Sequence, residues 1–123
     1  MSKKDLRHHF AHIFNALKYS IQGIRAAAAG ETAFIQEIIL LFVMPVAAYF
    51  YGVPTVSIAI IIAGWMLVMA FELMNMAIES VCNLVSPDFH PLVKVAKDAG
   101  SAAVFLAMLP NYFFWIYLAY KYW

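Results

Sequence analysis

Three long apolar stretches, separated by short polar segments, dominate the pattern of this chain. They run from about residue 33 to 51, from 55 to 81 and from 100 to 120. An α-helix needs about 20 apolar residues to cross the hydrocarbon core of a bilayer. The pattern therefore predicts three transmembrane helices, with Gly52-Val53-Pro54 as the turn between the first two.

Residues 1–30 show a different pattern, in which apolar and basic residues alternate at helical spacing. The apolar positions are Phe10, Ile13, Phe14, Leu17, Ile21, Ile24 and Ala28, and the basic positions are Lys3, Lys4, Arg7, Lys18 and Arg25. This predicts an amphipathic helix that lies in the membrane interface. The alternative is an ordinary amphipathic helix on a soluble core, but the rest of the chain offers no such core.

Composition supports an α-helical integral membrane protein of one domain. The chain has 123 residues, of which 65% are hydrophobic and 12% are charged, far from the usual soluble balance. The net charge of +1 gives no support for a polyanion-binding protein, and the single Cys82 excludes an internal disulfide framework. No apolar signal-peptide core follows the polar residues 1–9, so insertion is expected to rely on the spans.

The distribution of Lys and Arg predicts the orientation in the membrane. Five precede the first span, none lies in residues 52–55, Lys94 and Lys97 follow the second span, and only Lys121 follows the third. By the positive-inside rule, the N-terminus and the second loop are expected in the cytoplasm.

Polar residues inside the second apolar stretch indicate a functional site. Glu72, Asn75 and Glu79 are spaced i, i+3 and i+7, which places them within roughly 60° of one helix face. A carboxylate in hydrocarbon costs about 2.5 kcal/mol or more unless partners or water relieve it. Counted from Thr55, Glu72 and Glu79 fall near the cytoplasmic boundary, where Glu31 and Lys97 are also expected.

Carboxylates, an amide and a lysine at a cytoplasmic membrane surface favour phosphate chemistry. Mg²⁺ needs one or two carboxylates together with substrate phosphates, which Glu31 and Glu79 would supply. Glu72 would act as base towards a hydroxyl at headgroup depth, and Lys97 would neutralise phosphate charge. A proton or cation pathway uses the same residue types, and a purely structural polar cluster is the third reading. The sequence contains no Walker A or Gly-rich kinase loop.

Three sequence blocks, in order over most of the chain, carry a family resemblance. Residues 72–79, ELMNMAIE, and residues 96–104, AKDAGSAAV, are preceded by GIRAA at 23–27 and ETAFIQE at 31–37. These blocks resemble the small bacterial integral-membrane diacylglycerol kinases, a family that includes undecaprenol kinases.

The resemblance implies a homotrimer of three-span subunits in the bacterial inner (cytoplasmic) membrane, with sites between subunits that ATP and Mg²⁺ reach from the cytoplasm. It implies that Glu72 is the catalytic base, that Asn75 is an active-site amide, and that Glu31 and Glu79 are metal ligands. The residues implied to contact the nucleotide are His12, Tyr19, Glu31, Glu79, Asp88, His90, Lys97 and Asp98. The residues implied to contact the lipid are Arg25, Ala33, Phe34, Gln36, Glu37, Glu72 and Ser101.

Three positions depart from the family pattern. His12 stands where related chains often carry Arg, which would make an ATP contact there pH-sensitive. Asn83 replaces the Asp usually found one turn after the last Glu of the motif, and Leu17-Lys18 replaces smaller residues beside the nucleotide.

The resemblance implies an ATP-dependent kinase that converts diacylglycerol to phosphatidic acid. Undecaprenol kinase is the alternative within the family; the residues that lead into the first span, and the few residues after the third, favour the diacylglycerol branch. A small non-enzymatic transporter or scaffold is the alternative outside it.

Overall fold

A computed structural model describes residues 2–123, which form four helices. They are α1 (Lys3–Gly30), α2 (Thr32–Phe50), α3 (Thr55–Val85) and α4 (Pro91–Tyr122). No strand occurs within residues 2–123, so the all-α prediction is confirmed. By length and composition, α2, α3 and α4 can each cross a membrane, as the three apolar stretches predict. The fold divides into two units, one that ends at Thr32 and one that comprises Ala33–Trp123.

The N-terminal unit is the single helix α1. Its start is fixed by a capping box, in which Asp5 N–H donates to Ser2 Oγ at 3.3 Å and Ser2 N–H donates to the Asp5 carboxylate at 2.9 Å. At the other end, the N–H of Glu31 donates to the carbonyl of Ala27 at 2.9 Å. This pairing satisfies a carbonyl that the last turn would otherwise leave open.

The turn between α2 and α3 is closed by a Schellman motif around Gly52. The Val53 N–H donates to Ala48 O and the Gly52 N–H donates to Tyr49 O, both at 3.0 Å. Gly52 has a φ of 74°, a conformation that glycine adopts without steric cost. Val53 and Ala48 are both buried, so the apolar contact that accompanies this motif is also present.

Helix α3 is longer than the membrane is thick. Its 31 residues extend about 46 Å at 1.5 Å per residue, against about 30 Å of hydrocarbon. One end of α3 must therefore lie outside the hydrocarbon, and the polar motif of residues 72–79 occupies the C-terminal half of the helix.

Helix α4 begins nine residues before the predicted third span. His90 is its N-cap, with Nδ1 accepting the Leu92 N–H at 3.2 Å, and Pro91 occupies the first turn. The apolar stretch from residue 100 marks only the part of α4 that suits hydrocarbon, whereas residues 91–99 extend the same helix and carry the charged residues Lys94, Lys97 and Asp98. Residues 86–90 separate α3 from α4, and this segment contains Pro87, which disfavours continuation of the helix.

Helices α3 and α4 form the closest-packed pair. Asn111 Nδ2 on α4 donates to the carbonyl of Gly64 on α3 at 3.4 Å and to that of Ala107 at 2.9 Å. A Cβ atom at Gly64 would lie 2.5 Å from Asn111 Oδ1, so the glycine permits this close approach. At the turn end, Ala48, Val53, Ile61 and Leu118 form a buried apolar cluster that joins α2, α3 and α4.

Candidate active site

The three polar residues predicted to share one helix face all lie on α3. Glu72, Asn75 and Glu79 are all half-buried. Asn75 Nδ2 donates to Glu79 Oε1 at 3.4 Å. Residues i and i+4 of a helix are neighbours on its surface, so this contact follows directly from the sequence spacing and orients the Glu79 carboxylate.

Glu37 brings a second carboxyl group from α2 to the Glu72 end of the stripe. Glu37 is buried, at 6% exposure, and its carboxyl group lies close enough to that of Glu72 for the two to interact electrostatically. Within residues 2–123, Glu37 Oε2 is buried without a hydrogen-bond partner.

A tryptophan fixes α2 against α3 at this level. Trp65 Nε1 donates to the backbone carbonyl of Glu37 at 2.9 Å, and the bond is buried. The indole therefore sets where the Glu37 side chain leaves α2, and Glu72 lies two turns further along the helix that carries Trp65.

Asn75 also touches α4. Its Oδ1 atom is buried and has no hydrogen-bond partner within the described residues. A Cβ atom built on Gly100 would overlap this oxygen, so the α4 backbone approaches Asn75 as closely as it can. The amide is thus held between Glu79 on its own helix and the backbone of α4, three residues after Lys97.

A cavity of about 360 Å³ lies at the start of α4 and contains four of the residues predicted to contact the nucleotide. Asp88, His90, Lys97 and Asp98 all line it. The structure thus brings together residues that are up to ten positions apart in the sequence. Lys94 lines the same cavity.

Hydrogen bonds fix several side chains of this cavity. Lys97 Nζ donates to Asn83 Oδ1 at 2.7 Å, which ties the start of α4 to the end of α3. Lys94 forms an ion pair with Asp98, four residues later, and both side chains are largely exposed. Lys94 was not among the residues predicted to contact the nucleotide, although its i, i+4 spacing from Asp98 was a usable signal.

The other predicted residues are distributed over both units. His12, Tyr19, Arg25 and Glu31 belong to the N-terminal unit and are exposed. Among the predicted lipid contacts, Ala33, Gln36 and Ser101 are exposed, whereas Phe34 is buried at 4% exposure. Residues 2–123 contain no group of three or more His, Cys, Asp or Glu side chains that could hold a metal ion. Mg²⁺ does not require such a group, because it binds through one or two carboxylates and keeps water or phosphate oxygens as its other ligands.

Comparison with known proteins gives the family. Residues 18–119 match the model for prokaryotic diacylglycerol kinase. The diacylglycerol kinase of Escherichia coli K12 is 38% identical over 109 residues, 89% of each chain. That of Haemophilus influenzae is 40% identical over 97 residues, 79% of this chain and 82% of the relative. That of Pseudomonas aeruginosa is 44% identical over 96 residues, 78% of each chain. This chain therefore belongs to the prokaryotic diacylglycerol kinase family.

Proposed function

We propose that this protein is a diacylglycerol kinase that transfers the γ-phosphoryl group of Mg·ATP to the free hydroxyl of diacylglycerol and releases phosphatidic acid and ADP. The observation that carries this proposal is the half-buried Glu72–Asn75–Glu79 stripe on a membrane-spanning helix in a member of this family. Polar side chains on such a helix are energetically costly, and three of them on one face therefore indicate a functional site.

In the proposed reaction, Glu72 accepts the proton of the lipid hydroxyl while the hydroxyl oxygen attacks the γ-phosphoryl group and ADP leaves. Glu72 lies on α3 between the apolar part of the helix and Glu79, so a hydroxyl held at headgroup depth can reach it. The carboxyl group of Glu37 on α2 interacts electrostatically with that of Glu72. A positioned base contributes mainly by orienting the attacking oxygen in phosphoryl transfer.

The nucleotide is proposed to lie against the cavity at the start of α4. Lys97 has three donors and gives one to Asn83, which leaves two for phosphate oxygens. His90, Asp88 and Asp98 border the same cavity. His12 and Tyr19 of α1 are proposed as further nucleotide contacts, on the strength of the family motif alone.

The donor set fits Mg²⁺, which has a strong preference for carboxylate oxygens. Glu79 is held in place by Asn75, and Glu31 is exposed; the proposal that these two residues would hold the ion rests on the family motif alone. An ion held there together with the triphosphate would supply positive charge to neutralise the charge that develops during transfer. Arg25, Ala33, Phe34, Gln36, Glu37 and Ser101 are proposed to surround the lipid.

The proposed assembly is a homotrimer in the bacterial inner membrane, with the N-terminus and the site on the cytoplasmic side and α1 in the membrane interface. The basic residues support this orientation. Apolar side chains on all three spans are exposed, for example Phe42 at 68% and Phe113 at 67%, which is consistent with contacts to lipid or to other subunits.

The test is phosphate transfer from radiolabelled ATP in mixed micelles, with diacylglycerol and undecaprenol in parallel and one arm without Mg²⁺. Mg²⁺-dependent labelling of diacylglycerol is expected. Preferential labelling of undecaprenol would show that undecaprenol, and not diacylglycerol, is the acceptor. Labelling of neither lipid by folded protein would favour a transporter or scaffold.

One substitution and a matched control test the proposed role of Glu72 as the base. Glu72→Gln keeps the shape of the side chain but removes its basicity, and a loss of at least about 10²-fold in kcat is expected. Ser80→Ala, which removes a hydroxyl bonded only to Met76 O within α3, is the control. Near wild-type turnover in folded Glu72→Gln would exclude Glu72 as the base.

A further inference from the structure

Two contacts, one with Gly100 and one with Glu79, hold the two ends of the Asn75 amide group. The oxygen end is buried against the α4 backbone, where a Cβ on Gly100 would overlap it. The nitrogen end donates to Glu79 at 3.4 Å. Because an amide is planar, a constraint on its oxygen also sets the direction of its N–H groups.

The need for glycine at position 100 comes from the contact with Asn75 and not from close packing on all sides. The next side-chain neighbour of a Cβ at this position is Ile78 Cδ1, at 3.6 Å, an ordinary van der Waals distance. The hydrogen that glycine carries in place of Cβ points at Asn75 Oδ1, which is the arrangement of a weak Cα–H···O bond between closely packed helices. This contact accounts for an oxygen that otherwise has no partner.

We propose that Gly100 is a positioning residue for the active site: its lack of a side chain lets α4 hold the Asn75 amide, which in turn orients the Glu79 carboxylate. A methyl group at position 100 would force Asn75 to rotate or α4 to retreat. Either movement breaks or redirects the contact from Asn75 to Glu79, although residue 100 itself touches no substrate. The activity and metal readouts of this proposal rest on the proposed kinase function.

The same pair of helices supplies a matched control. At Gly64, a Cβ would lie 2.5 Å from Asn111 Oδ1, so Gly64→Ala disturbs α3 and α4 through the same kind of glycine–asparagine contact. Gly64 precedes Asn75 by eleven residues, about 16 Å along the helix. Asn111 donates to backbone carbonyls, not to a proposed metal ligand. A general packing defect should affect both variants alike, whereas a positioning defect should be specific to position 100.

The experiment compares wild type, Gly100→Ala and Gly64→Ala in detergent micelles with three readouts. The first is kinase activity as a function of Mg²⁺ concentration. The second is Mn²⁺ binding, measured by electron paramagnetic resonance with a non-hydrolysable ATP analogue. The third is the ¹H–¹⁵N spectrum of the asparagine side-chain amides, assigned by substitution of the four asparagines Asn15, Asn75, Asn83 and Asn111.

Gly100→Ala is expected to shift the Asn75 amide signals, to weaken Mn²⁺ binding by about tenfold or more, and to lower kcat/KM by about 10²-fold, the cost of misplacing a group by about 1 Å. Gly64→Ala is expected to shift the Asn111 signals and to change metal binding and kcat/KM by less than about threefold. Equal effects of the two variants, or an unmoved Asn75 signal in Gly100→Ala, would overturn the proposal.

Two further results keep the test decisive. If Gly100→Ala does not fold, the wild-type spectrum is used: a rotationally restricted Asn75 amide supports the proposal, and a freely mobile one overturns it. If wild type shows no kinase activity, the proposed function fails, but the Asn75 signals still report whether Gly100 positions the amide.

Discussion

The hydrogen bond from Lys97 to Asn83 should contribute to nucleotide affinity in a way that a single substitution can measure. Asn83→Ala removes the acceptor and leaves the lysine free to rotate. A hydrogen bond to a charged group is worth about 1.5–3 kcal/mol when buried. Since Asn83 is exposed and Lys97 half-buried, about 0.5–1 kcal/mol is the appropriate range, which corresponds to a two- to fivefold effect.

The expected result is a two- to fivefold rise in the KM for Mg·ATP with little change in kcat, because the bond at 2.7 Å orders Lys97 before the nucleotide binds. The assay is steady-state transfer to saturating diacylglycerol with varied ATP. Asn83→Asp, which restores an acceptor oxygen and introduces the residue usual in the family, should stay within about twofold of wild type.

Two results would refute this reasoning. One is an unchanged KM for ATP in Asn83→Ala. The other is an equal rise in Ser80→Ala, which removes a hydroxyl from the same helix but leaves the bond to Lys97 in place. A change confined to the KM for the lipid would also assign Asn83 a different role.

Three further predictions test the fold. Gly52→Ala should destabilise the protein by about 1–2 kcal/mol, because φ at Gly52 is 74° and no atom lies within 4 Å of the added methyl group, so that only backbone strain can act. The control Gly23→Ala, at an equally open position inside α1, should instead increase helix content. Effects of the same sign in the two variants would contradict the assignment to backbone strain. Trp65→Phe removes the buried donor to the α2 carbonyl and should lower the unfolding free energy by about 1–2 kcal/mol in detergent titrations; an unchanged midpoint would show that packing alone holds α2 there. The hydrogen bonds from the backbone and side chain of Ser2 hold the pKa of Asp5 below its ordinary value, so the cap is fully formed above that ordinary value and should be lost as pH falls through the lowered one. Amide exchange in the first turn of α1 measures this loss, which should be absent in Asp5→Asn.

The sequence was sufficient for those features that depend on local spacing. The length of each apolar stretch predicts the three spans, and the i, i+3, i+7 spacing places Glu72, Asn75 and Glu79 on one face. The start of α4 at Pro91 was harder to see, because hydropathy reports suitability for hydrocarbon and not helicity. His90 and Pro91 provide a local start signal, and the turns after them, which carry Lys94, Lys97 and Asp98, are ordinary helix.

The contacts between helices could not be predicted, since they depend on the register of α3 against α4. Nothing near Gly100 in the sequence indicates that it meets Asn75, and nothing near Asn83 indicates Lys97. The burial of Phe34 and the approach of Glu37 to Glu72 likewise arise from how α2 packs on α3.

The Schellman closure at Gly52 has a consequence for biogenesis. Its two hydrogen bonds satisfy carbonyls at the end of α2, and residues 51–54 carry no charge. In the proposed orientation this turn is the segment that the insertion machinery must move through the bilayer between α2 and α3. A loop with internally paired backbone and no charge crosses at low cost, so α2 and α3 can enter the membrane together as a helical hairpin, before α4 has been synthesised.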